Sequence, residues 1–493
     1  MNNEPTSSPQ AYPEAGKANF PSIEEKILQR WLDDGTFEKS IDQRPDDQEF
    51  TFNDGPPFAN GLPHHGHLLT GYVKDVIPRY QAMKGNKVTR RFGWDCHGLP
   101  AEMEAEKELP VSGRASIIDY GIEEFNEHCR TSVLRYTNEW EKTVTRQARW
   151  VDFSHDYKTM DRDYMESVMW AFKELWNKGL IYEAFRVMPY SWGAETPLSN
   201  FEIRLDDATR PRQDPAVTVT FDLSPVEGDP GPMRILAWTT TPWTLPSNLA
   251  LGVGPEVTYS LMQDSDGTVF ILGSEAIDRY SPQFESTSEI GTISGSDLVG
   301  RTYIPIFDFF ADREDAFKVL AADFVDATEG TGVVHMAPGF GEEDQNLCES
   351  NGIFIGEVVP VDDQGQFTDA VPDWHGINVF EANSEIIRSL KNSGHLIRHD
   401  TYEHNYPHCW RTDTPIIYKA ISSWYVKVTD FRDQMVEINK DINWIPDHVR
   451  DGRFGTWLSG ARDWSISRNR FWGSPIPVWK SDSLEYPRTD VYG

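Results

Sequence analysis

The chain has 493 residues, of which 39% are hydrophobic and 12% aromatic, enough for packed cores in roughly two to four domains. This content excludes a disordered chain, and since no run of about 18 apolar residues occurs, we expect no membrane-spanning helix. The formal net charge of −32 disfavours a protein that only binds nucleic acid, because such proteins neutralise phosphates with basic surfaces.

An acidic chain can still bind RNA through a local basic track. The arginines that could form one are Arg90, Arg91, Arg146, Arg149, Arg450, Arg453, Arg462, Arg468 and Arg470. The competing interpretation is a solvated surface with scattered charges, and composition alone favours it.

The cysteines and the N-terminus indicate the compartment. Cys96, Cys129, Cys348 and Cys409 lie far apart and form no CxxC pair, which is typical of a reducing cytoplasm. Residues 1–20 are polar, contain Pro and lack an apolar segment, so they predict a loose tail rather than a leader peptide. We therefore expect a cytoplasmic protein.

The first part of the chain predicts helices and a parallel sheet. A capping-box pattern at Ser22–Glu25 begins a first helix, and residues 49–53 are typical of a short strand. After a Gly- and Pro-rich turn, apolar residues at helical spacing predict a helix over 67–83, and residues 86–92 predict the next strand. Strand, helix and strand in this length form a βαβ unit, which favours a parallel sheet. Two further helices are predicted over 115–148 and 162–178.

From about residue 187, alternating apolar runs replace helices and predict a β-rich domain. Its predicted strands are 217–221, 234–239, 269–272, 319–325 and 333–335. A strand near 415–428 and a helix near 430–440 indicate that the first domain resumes. The predicted fold class is α/β, with a parallel-sheet domain interrupted by a β-rich insertion. The predicted segments are 1–48 (tail and first helix), 49–186 (first part of the parallel-sheet domain), 187–412 (insertion) and 413–493 (return to the first domain).

The segment Pro63–His67 is a candidate phosphate site, because it lies between a predicted strand and the start of a helix. Free backbone N–H groups and the helix dipole favour an anion there. His64 and His67 are three residues apart, so both rings can face one ligand, and Gly66 leaves room for a base or sugar. Imidazole N–H groups can donate to phosphate oxygens. Taken alone, the HxGH pattern is weak, and surface histidines that cap a helix are the better interpretation.

The surrounding sequence reverses that preference. The segment DGPPFANGLPHHGH over 54–67, together with GWDCHGLPAE over 93–102, resembles the class I aminoacyl-tRNA synthetases and most closely those for isoleucine. The leucine and valine relatives keep HxGH but differ around residues 93–102. The resemblance covers about residues 20 to 480. It implies a Rossmann-like nucleotide-binding domain interrupted by an editing domain, also called the connective peptide domain.

The resemblance also implies roles for particular residues. His64 and His67 would steady the triphosphate of ATP, which arrives with Mg²⁺ as a substrate. Asp95 would hold the α-ammonium of isoleucine, which a carboxylate suits physically, although it could instead cap a turn. Pro56 and Trp472 would line the isoleucine pocket. The amino acid would be activated as an adenylate and then transferred to tRNA(Ile).

An editing site is expected because one missing methylene is worth only about 1–3 kcal/mol, and isoleucine against valine is the standard illustration of that limit. Two segments, Trp238–Asn248 and Gly330–Asp344, resemble the editing signatures of isoleucyl-tRNA synthetases. Leucine and valine relatives typically carry Thr-Arg-Pro where this chain has Thr-Thr-Pro-Trp. The implied editing residues are Thr239, Thr240, Thr241, Asn248, His335 and Asp344.

Physically, the threonines offer hydroxyl and N–H groups to a terminal adenosine and to a water. Asp344 can pair with the α-ammonium of misplaced valine, and the ring of His335 can limit the pocket or help to place the water. The competing interpretations are an ordinary strand, since Thr favours strands, and a satisfied histidine at a strand end. The sequence leaves open which group activates the water.

Two departures from the family pattern qualify the prediction. Many relatives bind zinc through two CxxC pairs, but residues 191–194 and 409–412 retain only Cys409, so we predict no zinc in this segment. The Lys-Met-Ser-Lys-Ser loop is also absent from the sequence. We therefore expect a truncated ligase that activates isoleucine poorly alone and is a monomer at full length.

Two other classes compete with the ligase. The first is a stand-alone deacylase that clears mischarged tRNA, which the HxGH and GWDCHGLP segments argue against, since a deacylase needs no ATP site. The second is a non-catalytic RNA-binding module, which the charge of −32 disfavours.

Overall fold

A computed structural model describes residues 17–199, 202–205, 207–325, 327–356 and 358–479. Residues 1–16 of the tail predicted over 1–20, and residues 480–493 at the end of the last predicted segment, lie outside the described residues. The chain divides into two compact units, Met1–Glu174 with Arg470–Gly493, and Leu175–Asn469. The segment boundaries predicted after residues 48, 186 and 412 remain predictions. In the described ranges, no helix has both the length and the apolar character needed to cross a membrane.

Helices dominate the first unit. They are α1 Phe20–Asp33, α2 Thr36–Asp42, α3 His65–Met83, α4 Leu99–Glu108, α5 Gly113–Tyr120, α6 Ile122–Ser132, α7 Thr137–Arg146 and α8 Arg162–Asn177, of which α8 contains the boundary to the second unit. Strands β1 (Arg91–Trp94) and β2 (Asp152–Lys158) pair in parallel. The predicted parallel pairing in this part of the chain is therefore confirmed.

Three predicted elements of this unit need correction. Residues 49–53 form no strand: Glu49 makes an isolated parallel bridge to Lys87, and the next bridge of this segment joins Phe58 to Asp95. The single helix expected over 115–148 is three helices, α5 to α7, since Gly121 adopts φ +116° and the chain turns after Ser132.

The third correction concerns the start of α1. The side chain of Asn19, rather than that of Ser22, caps the helix by accepting the N–H of Ser22 at 3.3 Å. Helix α3 agrees more closely with its prediction and begins at His65. Its apolar stripe is exposed, with exposed fractions from 43% for Val76 to 78% for Met83.

The second unit is rich in strands, as the sequence predicts. The strands are β3 Ile181–Ser191, β4 Thr196–Pro197, β5 Thr209–Leu223, β6 Met233–Thr239, β7 Ala250–Val253, β8 Thr258–Gln263, β9 Val269–Gly273, β10 Ser288–Ser294, β11 Tyr303–Ile304, β12 Lys318–Ala321, β13 Val333–Met336, β14 Leu396–Pro407, β15 Ile417–Val426 and β16 Trp464–Ser465. The helices are α9 Ile277–Tyr280, α10 Gly295–Leu298, α11 Glu342–Ser350, α12 Val379–Asn392, α13 Arg432–Ile438, α14 His448–Asp451 and α15 Arg453–Ser459.

Where the structure describes this unit, its strands form three sheets. A seven-stranded sheet has the order β10-β8-β9-β6-β5-β11, with β14 also paired to β5. A three-stranded sheet has the order β12-β7-β13, and a four-stranded sheet the order β16-β15-β3-β4. The pairs β6–β9 and β7–β12 are parallel, whereas the pairs β5–β6 and β7–β13 are antiparallel. The fold is thus mixed α/β with parallel and antiparallel sheets.

Strand β5 shows why the main core of this unit lies where it does. Residues 216–221 are all buried, which is the pattern of a strand covered on both faces. Val217, Val219 and Phe221 belong to the main apolar cluster, as do Leu251 on β7 and Met336 on β13. This cluster holds β6, β7 and β13 firmly, so side chains at the ends of these strands have fixed positions.

The pairing of β1 and β2 generates a stability prediction. Gly93 lies opposite Tyr157, and a Cβ atom at residue 93 would fall within the Tyr157 ring. We expect Gly93→Ala to lower the free energy of unfolding by about 1–3 kcal/mol, measured by urea denaturation. Gly61→Ala is the matched control, because a Cβ there meets nothing within 4 Å. Equal stability of the two variants would contradict the prediction.

Candidate functional site

The two histidines of the HxGH pattern come together at the start of α3. Their rings stack with centroids 3.6 Å apart, and the ring of His67 also lies 4.7 Å from that of Trp140. The backbone N–H of His64 donates to Nδ1 of His67 at 3.2 Å. Because Nδ1 accepts, the neutral ring of His67 carries its hydrogen on Nε2. Burial, and next the charge of His64, lowers the pKa of His67.

Gly66 makes room for a neighbouring side chain of the protein, whereas the sequence suggested room for a base or sugar. A Cβ atom at residue 66 would come within 3.1 Å of the His64 ring. The missing side chain therefore leaves space for His64 to lie over the first turn of α3. His64, His65 and Gly66 are exposed, so this helix start is open to a ligand.

Asp95 follows β1 and lies beside the Gly- and Pro-rich loop. Its N–H donates to the carbonyl of Pro57 at 2.9 Å, while the adjacent Pro56 is half-buried. Burial raises the pKa of the Asp95 carboxyl, and hydrogen bonds from the backbone of His97 and from Thr159 oppose that shift. Asp95 thus caps the following turn, and it is also a partly desolvated carboxylate that can take a cation.

Trp472 lies against the segment 93–102, where a carboxylate that sequence reasoning missed accepts its backbone N–H. Glu102, which is 1% exposed, accepts the backbone N–H groups of Phe471 at 2.9 Å and Trp472 at 2.7 Å. Its second oxygen accepts from Nη1 of Arg470 at 2.9 Å. The indole N–H of Trp472 donates to the carbonyl of Cys96. The only signal in the sequence is the position of Glu102 at the end of GWDCHGLPAE.

A hydrogen-bond network joins most of the predicted editing residues in the second unit. The hydroxyl groups of Thr239 and Thr241 are 3.1 Å apart, and those of Thr241 and Thr244 are 3.3 Å apart. Nε2 of His335 lies 2.8 Å from the Thr244 hydroxyl, and its Nδ1 lies 3.1 Å from Nδ2 of Asn248. Thr244 is therefore the link between the threonines and the histidine, although sequence reasoning did not select it.

The fold explains why these side chains meet. Strand β6 ends at Thr239, a 3₁₀ helix spans Pro242–Ser247, and β7 begins three residues later, at Ala250. Strand β13 pairs with β7, which places His335 opposite Leu251. Thr240 is half-buried between its two neighbours, and its side chain is outside the network among the described residues.

Asp344 is not part of this network. It lies in the first turn of α11, where its carboxylate accepts the N–H of Ala337 at 2.8 Å. Burial, with a smaller contribution from the charge of Glu343, raises the pKa of Asp344 to about 6. Among the described residues it has no ion-pair partner. A desolvated carboxylate without a cation is a typical feature of a functional site.

Comparison with known proteins decides the family. A family model described as tRNA synthetases class I (I, L, M and V) matches residues 26–491. The chain belongs to this family. Isoleucine--tRNA ligase of Rickettsia conorii (strain ATCC VR-613 / Malish 7) is 60% identical over 489 residues, which cover 98% of this chain and 44% of that protein. The ligase of the same name from Rickettsia bellii (strain OSU 85-389) is 55% identical over 530 residues, covering 98% and 48%.

The predicted resemblance to isoleucyl-tRNA synthetases is confirmed, and this class I chain spans less than half of the length of these relatives. A solved Agrobacterium radiobacter K84 LeuRS–tRNA complex matches 95% of this chain and 52% of that chain, with a TM-score of 0.37 and 16% identity.

Residues 191–194 and 409–412, which were compared with the zinc-binding CxxC pairs of relatives, contain one cysteine, Cys409. Gly193 lies close to the hydroxyl groups of Thr412 and Thr414, which are 2.8 Å apart, and Cys409 is a buried free thiol. Within the described ranges, no group of three or more His, Cys, Asp or Glu side chains could hold a metal ion. The absence of zinc remains a prediction.

The role of Glu102 can be tested through the backbone that it holds. In Glu102→Gln, an amide NH₂ replaces one accepting oxygen and leaves a buried donor unpaired. We expect this to destabilise the contact by about 1–3 kcal/mol. We expect the N–H groups of Phe471 and Trp472 to exchange with deuterium about tenfold faster or more, measured by mass spectrometry. Glu104→Gln is the control, since Glu104 pairs with Lys107 on the exposed side of α4. Equal exchange in both variants would show that Glu102 does not hold the segment.

The raised pKa of Asp344 predicts a pH-dependent stability. Folding raises this pKa from 3.8 to about 6, so the folded state binds the proton more tightly than the unfolded state. That stabilisation is fully present below about pH 4 and is lost as the pH rises through about 6. Asp344→Asn should therefore be about 1–3 kcal/mol more stable than the parent chain at pH 7.5 in urea unfolding.

The gain from Asp344→Asn should shrink towards zero at about pH 4.5, where the parent carboxyl is protonated. Asp373→Asn, which changes an exposed carboxylate in the same unit, should show no such pH-dependent gain. A variant that is less stable than the parent at pH 7.5 would argue that the ionised carboxylate is well satisfied.

Proposed function

We propose that this chain is part of an isoleucine–tRNA ligase, with ATP and isoleucine bound by the first unit and misacylated tRNA edited by the second. The observation that carries the proposal is the stacked histidine pair at the open start of α3, in a chain whose relatives are isoleucine--tRNA ligases. The corresponding fold would be the Rossmann-like domain with an inserted editing domain.

In the synthetic reaction, a carboxylate oxygen of isoleucine attacks the α-phosphorus of ATP, and the bond to the β-phosphate breaks to release pyrophosphate. His67 supports this step as a neutral donor, since its Nδ1 accepts from the His64 N–H and its Nε2–H is left for a phosphate oxygen. Mg²⁺ arrives on the phosphates of ATP as part of the substrate. Positioning and charge stabilisation carry most of the step.

The amino acid would lie between Asp95 and Trp472. The partly desolvated Asp95 carboxylate suits the α-ammonium, and Pro56 and Trp472 offer apolar walls for the side chain. Glu102 fixes the backbone of Trp472, so that wall is preorganised. The 3′-terminal ribose hydroxyl of tRNA(Ile) then attacks the adenylate carbonyl, and AMP leaves.

In the editing reaction, water attacks the ester carbonyl of valyl-tRNA(Ile), and the bond to the ribose oxygen breaks to give valine and free tRNA. Asp344 would take the α-ammonium of valine, which supplies the missing cation. Thr239, Thr240 and Thr241 would contact the terminal adenosine and the water. Valine is thus the edited competitor, and a buried threonine–histidine network limits the space for larger side chains.

Several wider expectations belong to the same proposal. All four cysteines are buried and free, which suits a reducing cytoplasm. We also propose a monomeric full-length enzyme without zinc in this segment. The stand-alone deacylase is less favoured, because the first unit keeps the helix start with its histidine pair and the Asp95 segment.

Two assays on the 493-residue chain test the proposal. Without a Lys-Met-Ser-Lys-Ser loop, isoleucine-dependent exchange of pyrophosphate into ATP should be close to background. Hydrolysis of valyl-tRNA(Ile) should exceed that of isoleucyl-tRNA(Ile) by about tenfold or more, and Asp344→Ala should remove the excess. Robust exchange would show that activation does not need that loop, and equal hydrolysis of the two substrates would overturn the editing function.

A further inference from the structure

The ring of His335 is hydrogen-bonded at both nitrogens. Nδ1 lies 3.1 Å from Nδ2 of Asn248, and Nε2 lies 2.8 Å from the hydroxyl of Thr244. The residue is only 6% exposed. Each nitrogen is therefore already engaged by the chain, and the positions of the hydrogens decide what the ring can do.

The orientation of the Asn248 amide is set by a carbonyl. Nδ2 of Asn248 lies 2.9 Å from the carbonyl oxygen of Ala250, which can only accept a hydrogen bond. Oδ1 consequently faces the hydroxyl of Tyr303 at 2.6 Å and accepts its hydrogen. An amide turned the other way would place two acceptors against each other at Ala250. Tyr303 and Ala250 thus fix the amide from both ends.

The fixed amide determines the tautomer of the histidine. Nδ1 of His335 faces an N–H donor of Asn248 and can only accept, so the hydrogen of the neutral ring is on Nε2. Nε2–H donates to Thr244, whose own hydroxyl donates to the carbonyl of Thr241 at 2.8 Å. Burial lowers the pKa of His335 to about 4, which agrees with a neutral ring at neutral pH.

We propose that His335 is a positioning residue of the editing site: Tyr303 and Asn248 fix its Nε2–H tautomer, and the ring holds the threonine loop through Thr244 without taking a proton from the water. The editing reaction itself rests on the proposed function, whereas the tautomer does not. Neither ring nitrogen has a free lone pair for water, so a general base at this position has no acceptor to offer.

The first test reads the tautomer directly. In the full chain with ¹⁵N-labelled histidine, the His335 signals are assigned by their loss in His335→Gln. We expect a directly bonded hydrogen on Nε2 alone, at pH values from about 8 to about 6. A hydrogen on Nδ1, or a doubly protonated ring in that range, would overturn the proposal. This result does not depend on any catalytic activity.

The second test separates positioning from proton transfer. Glutamine can donate an N–H to Thr244 and accept from Asn248, so His335→Gln should keep valyl-tRNA(Ile) hydrolysis within about threefold of the parent chain. His335→Ala should lose about 10- to 100-fold, because the loop loses its donor. Loss of a general base costs about 10²–10⁴-fold, so an equal loss of that size in both variants would overturn the positioning role.

The third test addresses Tyr303. Tyr303→Phe keeps the aromatic contacts with Phe221 and Phe317 but removes the donor to Asn248, and hydrolysis should fall by about three- to tenfold. Tyr280→Phe is the matched control, since its buried hydroxyl bonds Thr218, which is outside the network, at 2.8 Å. Equal rates for Tyr303→Phe and Tyr280→Phe would overturn the role of Tyr303. If the parent chain hydrolyses neither substrate, the editing function fails, while the tautomer measurement still stands or falls alone.

Discussion

The candidate sites depend on one constraint, that a buried polar group must find a partner inside the protein. Glu102 meets it with two backbone N–H groups and one guanidinium, and in doing so fixes the position of Trp472. Asn248 meets it with a carbonyl, an imidazole and the Tyr303 hydroxyl. In both places the side chains that would contact a substrate are oriented by others that are not expected to contact it.

Asp344 shows where that constraint is left partly unmet. Its carboxylate accepts backbone N–H groups from Ala337 and from Asp344 itself, but burial outweighs them and makes the charged form unfavourable. Such a group lowers stability at neutral pH and is typical of a site where a ligand can supply a further partner. An α-ammonium group would do so. Glu102 is thus satisfied by the chain and holds the scaffold, whereas the environment of Asp344 is the one expected of the ammonium-binding carboxylate that we propose.

Periodic patterns predicted much of the fold, because helix α3 carries apolar residues at helical spacing and strands such as β6 carry short apolar runs. The strand at 49–53 was wrong because only Glu49 of this segment bridges the neighbouring backbone, at Lys87, and such pairing depends on tertiary context that periodicity does not register. Motifs led to His64 and His335, but neither Thr244 nor Tyr303 follows from a pattern. Tyr303 acts across 55 residues through one hydrogen bond, and only the tertiary structure brings such partners together.

The basic track suggested by the sequence is largely neutralised by the fold. Arg90 is 5% exposed, and Arg149 lies against Asp54 in an ion pair. Arg462 pairs with Glu342, and Arg470 pairs with Glu102. An arginine that is already paired with a carboxylate neutralises a phosphate poorly and so releases few of the counterions bound to RNA. These arginines would therefore add to RNA affinity only where their ion pairs open. With a net charge of −32, recognition of a tRNA end under the proposed function would have to rest on hydrogen-bond donors such as the threonine N–H and hydroxyl groups rather than on the overall field.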